Sequence, residues 1–134
     1  MSVSEESFNK GLDQLEKMGR GGSMLDQLQL SEDLYRMSVG TLFGEVWTRG
    51  HLSLRERQLI VLGANIAMAR PQGNHSHYNS ANHIGITHEE IMEVIMQVGM
   101  YTGWPTMALA VKQYLEVLAA RGDPRAKPVT APNT

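Results

Sequence analysis

No cysteine occurs in the chain, and that single absence excludes disulfides, thiolate metal sites and thiol catalysis together. Nor is there an apolar run approaching the roughly 20 residues that a membrane span needs. Charge of one sign is missing too. Twelve basic residues stand against fourteen acidic ones, the net charge is −2, and no basic run offers a footprint for nucleic acid. The opening MSVSEESFNK is polar and acidic, unlike a secretory signal, so a cytoplasmic location is the expectation. No segment alternates polar and apolar residues over the length of a strand. The fold class that remains is all-α.

What is present fits one domain. A chain of 134 residues with 42% hydrophobic content can bury a modest core. Phe8, Leu12, Leu15 and Met18 recur at helical spacing, which predicts a helix over residues 4–18. Gly19-Arg20-Gly21-Gly22 ends it in a flexible turn. Ser31 caps a second helix through Leu34, Met37, Val39, Leu42 and Phe43, which ends near Gly44–Trp47. Ser53-Leu54-Arg55-Glu56 is a capping box and opens a third helix, apolar over most of its length and expected to be central, which stops before Pro71.

The organising stretch runs from Asn74 to Pro105. It reads as a helix over about 74–84 carrying His75, His77 and His83, a turn at Gly85, and a second capping box at Thr87-His88-Glu89-Glu90. The helix that follows is apolar around most of its circumference, from Ile91 to Tyr101, and wants burial on more than one side; a subunit interface is the expectation. Pro105 suits the first turn of a last helix ending at Gly122. The expected architecture is a bundle of about six helices over residues 1–122 around a central helical hairpin, oligomeric, with a disordered tail over 123–134.

A set of short motifs lies along this frame: Gly11-Leu12, then Gly44-Glu45-Val46-Trp47-Thr48-Arg49, Leu52 and Arg55-x-Arg57. After these come His77 eight residues before Gly85, Glu89-Glu90-Ile91, Tyr101-Thr102-Gly103-Trp104-Pro105, and Ala108 and Ala110. In this order the set resembles the carboxymuconolactone decarboxylase family, over roughly residues 7–120. The resemblance implies an all-α fold, a cofactor-free decarboxylase of aromatic catabolism acting on a small carboxylated substrate, and a ring-shaped homo-oligomer, a hexamer or a trimer. The wider family includes thiol hydroperoxidases with cysteines just before the histidine. Here that region reads Arg70-Pro71-Gln72-Gly73-Asn74, which excludes their chemistry. Two positions depart from the pattern. Asn79 stands where the decarboxylases often carry an arginine, and Trp104 is the variant seen in relatives of undefined substrate.

In the reaction implied, a carboxylate leaves the γ-carbon of an unsaturated lactone, and its electrons flow through the double bond to the lactone carbonyl. The substrate is its own electron sink, so no cofactor is required. The protein must hold carboxylates, stabilise the oxyanion and protonate carbon. His77 is the candidate proton donor, because imidazole titrates near neutrality; the structural alternative is a buried histidine satisfied by a neighbour. Arg49 and Arg57, with Arg55 behind them, are candidates to grip carboxylates through bidentate pairs, or else surface ion pairs. Glu45 is a candidate to orient His77 or relay its proton, or else a helix-end residue. Trp47, Trp104, Tyr101 and Asn79 are candidates for the substrate pocket, with core packing as the alternative for the aromatics.

No metal site is expected. His75 and His77 project about 200° apart on a helix, and His75 and His83 lie two turns apart. His51 and His88 carry no assigned role. Beside the enzyme stands a second class of reading, a non-catalytic oligomeric helical protein; geometry at His77 separates the two.

Overall fold

Ser53 and Thr87 both close capping boxes, and these two reciprocal caps fix where the second half of the chain starts its helices. The Ser53 hydroxyl accepts from Glu56 N–H at 3.0 Å while Ser53 N–H donates to the Glu56 carboxylate at 2.8 Å. Thr87 and Glu90 repeat the arrangement at 3.1 and 2.9 Å. Each pair satisfies two of the amides that a helix start leaves over. The computed structural model describes residues 2–20 and 23–127, and every regular element among them is helical. The α-helices are α1 Glu5–Lys17, α2 Glu32–Arg36, α3 Leu54–Met68, α4 His75–His83, α5 His88–Thr102 and α6 Trp104–Ala120. None is long and apolar enough to cross a membrane.

The elements form two layers, each with its own core. In the first, α1 lies against residues 37–47, and Leu15, Met18, Leu25, Val39, Phe43 and Trp47 are buried together. In the second, α3 to α6 enclose Leu62, Ile66, Tyr78, Ile91, Ile95, Tyr114 and Leu118. Helix α3 joins the layers, since Leu54 and Val61 pack on the first core while Leu62 and Ile66 belong to the second.

Two expectations change here. The second helix is α-helical only over Glu32–Arg36; Met37–Val46 continues as a π-helix, and Trp47 N–H bonds the Leu42 carbonyl five residues back at 3.0 Å. Such wide turns are rare because their hydrogen bonds and packing are poorer. Here close packing offsets that cost: Gly40 and Gly44 face α1 so tightly that a Cβ on Gly44 would lie 2.1 Å from the Ser7 carbonyl oxygen. The central hairpin is also not the organising unit, because α5 packs on α3 and α6 and touches α4 least. Helix α3 is central as expected, since it touches both cores, and it leaves Ile60 and Met68 more than half exposed on its remaining face.

Residues 23–30 form a 3-10 helix that the α-periodicity did not announce; Leu25 and Leu28, three apart, are its inward positions. Of the segment expected to be a disordered tail, Pro124–Ala126 is a short 3-10 turn with Ala126 against the bundle core, and residues 128–134 lie outside the described ones. Gly21 and Gly22 of the expected flexible turn do so too.

Candidate functional site

Helix α4 carries two faces one residue apart. Tyr78 and Ala81 enter the bundle core, fully buried, which turns His77 toward the seam between the layers. Two contacts hold that register. At the start of α4, buried Asn74 donates to Gln113 at 3.0 Å, and Gln113 donates to the Arg70 carbonyl at 2.7 Å. In its middle, Ser80 donates to the Met18 carbonyl at 2.7 Å, tying α4 to the end of α1. There Gly19 turns the chain with a φ of +69°, a conformation that suits glycine. A Cβ on it would sit 2.5 Å from the His83 ring. The turn delivers Arg20 to the same seam.

The seam opens as a pocket of about 360 Å³ whose lining includes His77, Arg20, Ser38, Phe43, Trp47 and Val61. The wide helix supplies Ser38, Phe43 and Trp47, four to five residues apart, as its broader turn dictates. Arg20 donates to the Ser76 hydroxyl at 3.4 Å, and its guanidinium carbon lies 5.6 Å from the Phe43 ring centre, within cation–π range. Burial lowers Arg20 to about 10, so it stays cationic at neutral pH. His77 is lowered to about 4, first by burial and then by the charge of Arg20, and its Nδ1 is buried without a hydrogen-bond partner. The pocket therefore pairs a neutral imidazole with a guanidinium between apolar walls. Such a pair attracts an anion, and the anion's charge raises the imidazole's proton affinity.

Two further pockets adjoin it. One of about 400 Å³ lies beyond Arg20 and shares Arg20, Leu25 and Leu28, adding Gln27, Gly73, His75 and Ser76. The other, of about 260 Å³, lies beyond Trp47 and shares Leu42, Trp47 and Val61, adding Arg57.

The residues singled out from the sequence scatter around this geometry. His77 and Trp47 line the pocket. Arg57 lines the neighbouring one, where it donates to the Arg49 carbonyl at 2.9 Å; the Arg49 side chain is exposed. Arg55 is engaged with Glu90, whose carboxyl is pulled down to about 2, chiefly by that hydrogen bond. Glu45 is exposed and accepts from Ser7 on α1 at 3.1 Å; it does not orient His77. Asn79 is exposed, and Tyr101 and Trp104 are 84% and 72% exposed at the α5–α6 junction. None of these four lines the pocket. The expectation that His77 titrates near neutrality is also corrected, because burial and Arg20 both oppose its protonation.

Among the other histidines, His75 pairs with Glu116 at 3.0 Å and His88 contacts the Tyr114 hydroxyl at 2.8 Å. Among the described residues no three histidines, aspartates or glutamates gather as metal ligands do. Arg20 is the residue that sequence reasoning passed over. Its only signal is a lone cation inside a glycine-rich turn directly after a helix whose last apolar residue, Met18, is fully buried.

The family model described as carboxymuconolactone decarboxylase family matches residues 32–116. A 4-carboxymuconolactone decarboxylase of Acinetobacter baylyi (strain ATCC 33305 / BD413 / ADP1) is 25% identical over 122 residues, which span 88% of this chain and 91% of that protein.

Proposed function

The chain belongs to the carboxymuconolactone decarboxylase family, and on that premise we propose that it is a cofactor-independent carboxy-lyase acting on a small carboxylated lactone. The observation that carries the reading is the pairing of His77 with Arg20 in one apolar-walled pocket. A guanidinium there binds a substrate carboxylate, the role for which the sequence offers Arg49 and Arg57, with Arg55 behind them. The bound anion raises the proton affinity of His77, so the imidazole becomes an acid once substrate is in place. Loss of carbon dioxide sends the electron pair through the ring double bond to the lactone carbonyl. His77 then gives its proton to carbon, and water restores it. Trp47 and Phe43 keep the walls dry, which strengthens both charge interactions. The protein would work as a cytoplasmic homo-oligomer, a hexamer or trimer, in the breakdown of aromatic compounds.

The test is an ultraviolet assay with freshly generated γ-carboxymuconolactone. Native protein should turn it over, and His77→Ala should lose at least about 100-fold in kcat, the contribution of a positioned general acid. Turnover at the native rate by His77→Ala would remove His77 from the chemistry; none by native protein would remove this substrate.

The low proton affinity of His77, set by burial and Arg20, favours one second reading. A neutral imidazole is also a base, so a lyase or isomerase could draw a proton from beside the carbonyl of another carboxylated compound. Exchange of solvent deuterium into a bound lactone, without loss of carbon dioxide, would mark it.

A further inference from the structure

The proposed reaction makes three demands on the His77 pocket, and two of them have an owner. Arg20 holds the carboxylate and His77 supplies the proton. The negative charge that gathers on the lactone carbonyl oxygen still needs a donor. We propose that the Ser38 hydroxyl is that donor, held on the pocket wall by the π-helix. This rests on the carboxy-lyase reading and adds a catalytic residue to it.

The register of the wide helix carries the assignment. Ser38, Leu42, Phe43 and Trp47 all line the pocket with His77. On an α-helix, with about 3.6 residues per turn, Ser38 and Trp47 would project about 180° apart. Over Met37–Val46 the helix is wider, and Trp47 N–H reaches back to the Leu42 carbonyl. A turn of roughly four to five residues returns all four positions to one face. Two of them carry a donor, Ser38 and Trp47. The indole belongs to the wall, stacked on Phe43 with ring centres 6.2 Å apart. Helical hydroxyls often bond back to the carbonyl one turn earlier, as Thr48 and Thr102 do here at 2.5 and 2.9 Å. Among the described residues the Ser38 hydroxyl makes no such bond, so its proton is available to a ligand. Its backbone is fixed. Val39, the next residue, is fully buried, and its carbonyl packs so closely on α1 that Gly11 has no room for a Cβ. A fixed donor between apolar walls needs little reorganisation as charge develops. When the bond to the departing carboxylate breaks, its electron pair moves through the ring double bond onto the carbonyl oxygen. Ser38 donates a hydrogen bond to that oxygen and keeps its proton, while His77 protonates carbon.

The experiment compares two probes by calorimetry. One is γ-butyrolactone γ-carboxylate, a saturated lactone with no double bond to take up the electrons of decarboxylation. The other is tetrahydrofuran α-carboxylate, the same ring without the carbonyl. Ser38→Ala should weaken the lactone about fivefold, the worth of one neutral hydrogen bond, and leave the ether unchanged. Ser38→Thr should keep the lactone affinity. In infrared spectra the carbonyl stretch of the bound lactone should lie lower in native protein than in Ser38→Ala. With γ-carboxymuconolactone, Ser38→Ala should lose about 100-fold in kcat, as removal of an oxyanion donor does, with a far smaller change in KM. A Ser38→Ala variant that weakens both probes alike, or neither, would overturn the proposal. So would failure of both probes to bind native protein. A carbonyl preference lost in Trp47→Phe but kept in Ser38→Ala would give the role to the indole instead. The binding difference is read separately from turnover. A protein that fails the decarboxylase assay but shows the Ser38-dependent difference keeps the donor and loses only the reaction. One that turns the substrate over equally well without the hydroxyl keeps the reaction and loses the donor.

Discussion

Ser80 donates its hydroxyl to the Met18 carbonyl at 2.7 Å in a buried contact that joins the helix of His77 to the turn of Arg20. Removing the donor leaves a buried acceptor unsatisfied. Ser80→Ala should therefore cost about 1–3 kcal/mol in urea unfolding. The same change frees Arg20 to drift from His77, so KM should rise. A variant with native stability would mean that water replaces the hydroxyl without strain.

The pH dependence of stability follows from His77, whose proton affinity in the folded chain lies at about 4 against an ordinary 6.5. Between those values the unfolded chain binds the proton and the folded chain does not. The contribution of His77 is thus complete above the ordinary value and is lost as pH falls toward 4. Its ceiling is about 3 kcal/mol, reduced to about 1–2 because the side chain is only partly sequestered from water. Unfolding midpoints between pH 4 and 7 should slope more steeply for the native protein than for His77→Gln. Parallel slopes would show an imidazole that protonates freely in place.

Local rules made much of this legible. The caps at Ser31, Ser53 and Thr87, the left-handed Gly85 and the break at Gly103 all act within a few residues, so the sequence displays them directly. The π-helix was not legible, because its cause is tertiary: Gly40 and Gly44 accept poorer helical bonds in order to meet α1. The site was half legible. His77 announces itself by its chemistry and its place on a helix, whereas Arg20 becomes a pocket residue only because the end of α1 lies on α4, a contact of 62 residues' separation between Met18 and Ser80. Arg55 and Glu45 had the right chemistry but were claimed by nearer partners, Glu90 and Ser7.

The glycine contact can be tested directly. Gly44→Ala drives a methyl toward backbone, 2.1 Å from the Ser7 carbonyl oxygen, and neither helix can yield without losing the other's packing. The expected loss is about 2–4 kcal/mol in urea unfolding. Gly63 in α3 is the control. Its Cβ would meet only the Val98 side chain at 3.7 Å, and replacing a mid-helix glycine by alanine removes chain entropy worth about 0.5–1 kcal/mol. Gly63→Ala should therefore stabilise. Equal effects at the two positions would show that helix propensity, not the approach of α1, governs the pair.

The exposed aromatic corner bears on assembly. Met96, Met100, Tyr101 and Trp104 are 41%, 68%, 84% and 72% exposed around the end of α5 and the start of α6. Large apolar side chains gathered this way are costly to leave in water, at about 25 cal/mol per Å², and mark contact surfaces. The expected cover is a second copy of the chain, with Tyr101 and Trp104 as anchors, since aromatic residues dominate such contacts. Replacing both by serine should lower the mass found by light scattering at micromolar protein while leaving the helical content of each chain intact. Both side chains are exposed and belong to neither core cluster, so misfolding is not the expected consequence. An unchanged mass would move the interface to another face, with the exposed Ile60 and Met68 of α3 as the next surface to alter.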